Sequence, residues 1–218
     1  MRKSLMLAAG VAVFLIKSAS AQVVYNESWE NSLDGWGIVN GANMTFGGFS
    51  TTTGVTEGNY SVILDSASGS GPSYGNQFAS SASTALTLDL ANASSVTLDV
   101  YTPGGDFGYF LQWDLTLNQQ GTGGLGYQSV DNYNFQSTAN GSESILTWTI
   151  PTSMQATLAA NPTLATSVNL QIGGGYTSTS DAVYLDDFTI TDVPEPSTMA
   201  LCGLGMAGLV ALRRRAAK

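Results

Sequence analysis

The sequence predicts an all-β protein, an antiparallel β-sandwich of the jelly-roll kind, on three observations. Apolar and polar residues alternate with period 2 in stretch after stretch, helical periodicity is confined to one short segment, and glycine-rich clusters separate the stretches. Many short strands joined by such turns suit two packed antiparallel sheets better than a layered α/β arrangement.

In chain order, strands are expected at Val23 to Ser28, Tyr60 to Asp65 and Thr84 to Leu88. Ser95 to Thr102 then sets Val96, Leu98 and Val100 against Thr97, Asp99 and Tyr101. Tyr109 to Asn118 sets Leu111, Trp113, Leu115 and Leu117 against Gln112, Asp114 and Thr116. Ser144 to Ile150 sets Leu146, Trp148 and Ile150 against Ile145, Thr147 and Thr149. Val168, Leu170 and Ile172 oppose Asn169 and Gln171, and Val183 to Thr191 closes the series. Successive side chains of a strand point to opposite faces, so the apolar sets, Trp113 and Trp148 included, belong to the core. Trp29, Trp36, Tyr127 and Tyr133 lie near turns and are left open. Turns are expected at 68–72, 103–106, 121–124 and 173–175. Thr152 to Ala160, opened by Pro151 and closed by Asn161-Pro162, reads as a short crossover helix. No internal repeat and no second domain boundary is visible.

Both ends carry targeting signals. Arg2 and Lys3 precede an apolar segment, Leu5 to Ile16, followed by Ala19-Ser20-Ala21, the three regions of a signal peptide over residues 1–21. An uncleaved N-terminal anchor is the alternative, against which the segment is short. At the other end come the stiff turn Pro194-Glu195-Pro196, an apolar run of 14 residues from Met199 to Leu212, and the cluster Arg213, Arg214, Arg215. Such a run spans roughly 21 Å as a helix against a hydrocarbon core of ~30 Å, but the arginines match a stop-transfer signal under the positive-inside rule. Residues 194–218 are therefore expected to form a transmembrane sorting helix. The body between the signals, residues 22–193, is 172 residues long and suits one domain.

That body has an extreme charge. All seven Lys and Arg residues lie in the targeting segments, and of 16 acids only Glu195 does, so 15 carboxylates and a formal charge of −15 remain. Such a surface repels nucleic acid and leaves cations, neutral polymers or basic proteins as partners. The sole cysteine, Cys202, lies in the tail, so the body has no disulfide.

The order of PEP, apolar helix, arginine cluster and chain end resembles the PEP-CTERM sorting signal of bacterial surface and exopolysaccharide-associated proteins. The resemblance implies recognition of Pro194, Glu195, Pro196, Arg213, Arg214 and Arg215 by a membrane exosortase, with cleavage near the PEP. The protein would be held transiently in the inner membrane and then reach the cell surface or the extracellular space. An ordinary uncleaved C-terminal anchor is the alternative.

Two ends of the body carry a second likeness. Asn26 to Trp36, reading NESWENSLDGW, resembles the opening of jelly-roll carbohydrate-binding modules and galactose-binding-like domains. Thr56 to Ser61 resembles the "eGxyS" lead into an early strand of those modules, and Val183 to Ile190, reading VYLDDFTI, their closing strand. In many of them the first and last strands pair around a structural calcium. By position the resemblance implies Glu30, a carbonyl at or beside Gly58, and Asp186 as its ligands, hard oxygens of the type Ca²⁺ takes.

Alternation also suggests a binding face. If the apolar sets face the core, Asp99, Tyr101, Gln112, Asp114, Thr147, Thr149, Asn169 and Gln171 turn outwards, offering a sugar chain hydrogen-bond partners beside a ring. The same residues equally suit an ordinary solvated sheet face.

Catalytic chemistry is restricted by what is missing. Without histidine there is no Ser-His-Asp triad, and without Lys or Arg in the body there is no Schiff base or phosphoryl clamp. A carboxylate pair acting on a glycosidic bond is left, but Glu27, Glu30, Glu57 and Glu143 are scattered, and Asp186 and Asp187 are adjacent on a strand and expected on opposite faces. The expectation is a non-enzymatic exported protein that binds a neutral or surface polysaccharide. A structural or adhesion protein without a sugar site is the alternative, and a glycoside hydrolase the more distant one.

Overall fold

Alternation of this kind pays off only when two sheets bury their apolar faces against each other, and that is what the computed structural model shows. It describes residues 21–40, 44–66, 76–104, 107–131, 136–139, 141–176 and 182–192. Residues 1–20 of the expected signal peptide, the turn at 68–72, Tyr133, and the sorting residues from Pro194 to Arg215 lie outside the described residues.

The first half of the chain gives β1 (Gln22–Glu27), β2 (Trp36–Asn40), β3 (Met44–Ser50), β4 (Ser61–Ser66), β5 (Asn76–Ser80), α1 (Thr84–Asn92) and β6 (Ala93–Thr102). The second gives β7 (Phe107–Gln119), β8 (Gly126–Ser129), β9 (Gln136–Thr138), β10 (Ser142–Trp148), α2 (Thr152–Ala160), β11 (Thr166–Tyr176) and β12 (Ala182–Asp192). One sheet runs β10-β6-β12-β4-β3, with β1 also on β12. The other runs β2-β5-β11-β7-β8, with β9 also on β7. Pairing among them is antiparallel throughout.

The core lies between the sheets. Val96, Leu98 and Val100 of β6 and Leu185, Phe188 and Ile190 of β12 meet Leu111, Trp113, Leu115 and Leu117 of β7 and Val168, Leu170 and Ile172 of β11, all buried. Trp113 and Trp148 are core residues, as alternation predicts. Trp29 and Trp36 are buried too, in an aromatic cluster with Phe78 and Phe188 whose ring centroids lie 5.0 to 5.8 Å apart. The first and last strands meet, with β1 and β12 in register from Gln22 opposite Asp192 to Glu27 opposite Phe188.

One expected strand is a helix. Thr84 to Leu88 opens α1, because Ser83 caps it, its Oγ accepting from the Ala85 amide at 3.1 Å, and because Leu86 and Leu90, one turn apart, bury together. The helix expected at Thr152 to Ala160 is α2, which packs on α1 and buries Leu158. Strands β2, β3, β5, β8 and β9 carry no clear alternation in the sequence. They are at most seven residues long, and Gly37, Gly47, Gly48 and Gly126 interrupt the pattern in three of them.

Candidate functional site

Alternation tells in from out on each strand but not which sheet a strand joins, and here that decides the site. Asp99 and Tyr101 lie on β6 of the first sheet, whereas Gln112 and Asp114 lie on β7 and Asn169 and Gln171 on β11 of the second. The outer faces of the two sheets look away from each other across the core. The six residues therefore do not form one surface, which corrects the single face expected from the sequence.

On the second sheet the strand register lays out a polar grid. Gln171 sits between Gln77 and Asp114, Asn169 between Ala79 and Thr116, and Gln112 between Gly173 and Ser137. Tyr127 enters this face from β8, where it pairs with Asn118. Its hydroxyl accepts from Gln77 Nε2 at 2.9 Å and from Thr116 Oγ1 at 3.0 Å. Since β7 and β11 separate β8 from β5, a distance of roughly 14 Å at ~4.8 Å per strand, Tyr127 and Gln77 must reach towards each other along the sheet surface. The phenol lies across the grid, 44% exposed, and helps cover Thr116.

Two expected contact residues are buried instead of exposed: Asp114 is 1% and Asn169 4% accessible. Gln112 and Gln171 are half-buried. Ser129 Oγ donates to Asp114 Oδ1 at 2.8 Å. Burial pushes the Asp114 carboxyl above its ordinary value, the Ser129 bond opposes this, and the Asp131 charge adds to it. The Asn169 Nδ2 group has no hydrogen-bond partner among the described residues. A shallow depression of about 420 Å³ lined by Gly124, Leu125, Gln128, Pro151, Ser153, Met154 and Thr157 lies on the other side of β8, because Gln128 alternates with Tyr127.

The outer face of the first sheet is covered by its own loop. Residues 51–60, between β3 and β4, fold over β12 and β6 until Gly54 lies against the β-carbons of Tyr184 and Tyr101. Asp186 is fully buried under this loop. Its Oδ2 accepts from the amides of Thr56 at 2.6 Å and Glu57 at 2.8 Å and from Thr56 Oγ1 at 3.3 Å, while Oδ1 accepts from the Asp187 amide at 2.8 Å. Glu30 grips the same loop from outside, both carboxylate oxygens accepting from the Asn59 amide at 2.9 and 3.1 Å. Asp99, directly opposite Asp186, is hydrogen-bonded by the Thr56 side chain. Burial raises its carboxyl, as do the charges of Asp187, Asp186 and Glu143.

Glu30, Gly58 and Asp186 are thus brought to one loop. The fit to calcium is through few carboxylates, since no three acidic side chains gather at metal-binding distance among the described residues. Asp186 Oδ2 is filled by N–H and O–H donors, whereas Oδ1 and the two Glu30 oxygens each accept from one backbone amide, so an ion held there would share these oxygens with the Asp187 and Asn59 amides and be completed by carbonyls of the loop. Asp186 and Asp187 do not face opposite ways as expected. A bulge between Asp186 and Thr189 breaks the alternation, Asp187 takes φ 45°, and its Oδ1 accepts from Asn26 Nδ2 and from Thr189 Oγ1, on the same side as Asp186.

Comparison with known proteins agrees with both halves of this picture. Residues 192–215 match the PEP-CTERM protein-sorting motif. No curated protein matches the chain. Among solved structures the fold is similar to the CBM22-1 xylan-binding domain of Paenibacillus barcinonensis Xyn10C, at 15% identity over 81% of this chain and 97% of that one, with a TM-score of 0.50. The CBM22-2 xylan-binding domain of the same protein is similar at 12% identity over 78% and 99% of the chains, TM-score 0.50. A structure from a study of promiscuous carbohydrate-binding modules of the β-sandwich superfamily gives 12% identity over 74% of this chain and 59% of that one, TM-score 0.52. At these identities the likeness is one of fold, an antiparallel β-sandwich of the kind carbohydrate-binding modules adopt.

Proposed function

We propose that the chain is an exported, non-catalytic protein of the cell surface or extracellular matrix whose body binds a neutral or surface polysaccharide. The observation that carries this reading is Tyr127, a half-exposed ring whose hydroxyl is held on a polar sheet face by Gln77 and Thr116, with Gln171 beside Gln77 in register. An aromatic surface flanked by amides suits a pyranose, whose C–H face stacks while its hydroxyls exchange hydrogen bonds at the rim. The sorting motif supports export and exosortase processing, and the likeness to carbohydrate-binding modules supports the binding reading.

Affinity electrophoresis of the mature body on a panel of soluble polysaccharides tests it. Retardation by at least one glycan is expected, weakened about tenfold by Tyr127→Ala. Tyr127→Phe keeps the ring and should keep most of the binding. Absence of retardation across the panel overturns the reading in favour of a structural role, and release of reducing sugar overturns its non-catalytic part.

A structural calcium ion belongs to the same proposal, held by Glu30, a carbonyl at Gly58 and Asp186. It would tie the loop over β12 and neutralise two of the body's charges. Melting in calcium should exceed melting in chelator by several degrees, as expected for about 2.7 kcal/mol at a hundredfold excess over Kd. Equal melting temperatures would remove calcium from the proposal.

A further inference from the structure

We propose that the Tyr127 face prefers amino-sugar polysaccharides carrying free ammonium groups, with Asp131 and Asp114 as its counter-charges. The inference rests on the reading of this face as a glycan site. Its starting point is register. Ser129 pairs with Thr116, and the Val130 amide donates to the Leu115 carbonyl at 2.9 Å, so the turn that follows β8 still runs beside β7 and brings Asp131 near Asp114, whose carboxyl feels its charge. Two neighbouring carboxylates repel, and no Lys or Arg exists between residues 22 and 193 to offset them. Asp114 is buried while Asp131 is exposed, so a cation arriving from solvent meets Asp131 first and has the second charge behind it.

Two further groups point to a sugar cation in preference to a bare ion. The Asn169 Nδ2 donor, on the same face and 96% buried with no partner among the described residues, suits a hydroxyl or ring oxygen. The exposed ring of Tyr127 offers a π face, which attracts an ammonium as well as stacking a pyranose. A polyuronate would meet only repulsion from a body of charge −15.

Titration calorimetry of the mature protein with a glucosamine oligomer, its fully N-acetylated counterpart, a neutral xylo-oligomer and a galacturonate oligomer separates the cases. At a pH where the amine is protonated, the glucosamine oligomer should bind at least tenfold more tightly than its N-acetylated counterpart. The advantage should shrink with added salt, and the galacturonate should not bind. Asp131→Asn should remove most of the preference and leave binding of the N-acetylated oligomer intact. Asp114→Asn, which keeps an acceptor for Ser129, should remove part of it. Glu143→Gln, on the first sheet, should change nothing. Equal affinity for the two oligomers, or a preference that survives Asp131→Asn or falls equally with Glu143→Gln, overturns the inference while the glycan reading stands. Failure of all four ligands, together with failure of the polysaccharide panel, overturns both.

Discussion

Gly58 has no room for a β-carbon. Its φ is +63°, and an added Cβ would fall 1.9 Å from Glu30 Oε1, so alanine here is strained and displaces the carboxylate that holds the Asn59 amide. Gly58→Ala and Glu30→Gln therefore break one contact from its two sides. Their destabilisations should be markedly less than additive in a double-mutant cycle of melting temperatures, and full additivity would mean that the two do not act together. Asp186 does different work on the same loop, since it accepts from two of the loop's backbone amides. Asp186→Ala should cost about 3 kcal/mol in chelator, at roughly 1.5 to 3 kcal/mol for each charged hydrogen bond lost, partly offset by relaxation, and more in calcium, where the ligand is lost as well. Asp186→Asn keeps one acceptor oxygen and separates this role from calcium binding. These three residues stood out in the sequence only through likeness to other modules. Nothing in the spacing of Glu30, Gly58 and Asp186 places them together, because the contact is made by a loop folding over a sheet.

At the scale of elements, the long strands were legible because each buries one whole face, which writes period 2 into β6, β7, β10 and β11, and into β12 as far as its bulge at Asp186. Helix α1 was misread because Thr84-Ala85-Leu86-Thr87-Leu88 satisfies both periods over so short a window. What settles it is Leu90, which joins Leu86 on the buried side while Leu88 stays 52% exposed. Ser83→Ala should cost roughly 1 kcal/mol through the lost cap, measured by denaturant unfolding. A change below a few tenths would show that packing on α2 alone holds the helix. The candidate face was legible only in part for the same reason. Gln112 and Gln171 follow from alternation, but Tyr127 sits on a four-residue strand after Gly126, too short to show a period, and its role depends on a partner on β5. The C-terminal segment is the opposite case, its order of PEP, apolar run and arginines being readable without any fold. Replacing Arg213, Arg214 and Arg215 with Ala should disturb retention or cleavage and leave body melting unchanged. Mass spectrometry of the surface protein should find a chain ending near Pro194 to Pro196, and an intact Lys218 would defeat the processing step.

At the scale of the whole molecule, a body with 15 carboxylates and no Lys or Arg must fold against its own charge. The acids it buries show the cost. Glu27, Asp65, Asp89, Asp99, Asp114 and Asp186 are each held above their ordinary values, 4.5 for Glu and 3.8 for Asp, and in each case burial is the largest cause. In Asp186 burial outweighs even its three backbone amides. The unfolded chain titrates near the ordinary values. Between those values and the raised folded ones, the native state therefore binds more protons than the unfolded state. Stability from these groups is fully present below the ordinary values and is lost as pH rises through the folded ones. Melting temperature should accordingly rise, not fall, as pH is lowered through the raised folded values towards the ordinary carboxylate range, and flatten there. Added sodium chloride should raise it at neutral pH by screening the remaining surface repulsion, over a Debye length of about 8 Å at 0.15 M. Asp114→Asn removes a buried charge without its Ser129 bond, so that variant should melt higher at pH 7 and show a shallower rise towards acid. A melting temperature that drops steadily as pH is lowered towards the ordinary carboxylate range in the wild-type protein would mean that buried carboxylates are compensated in the folded state, and a bound calcium ion would then be the first compensator to examine.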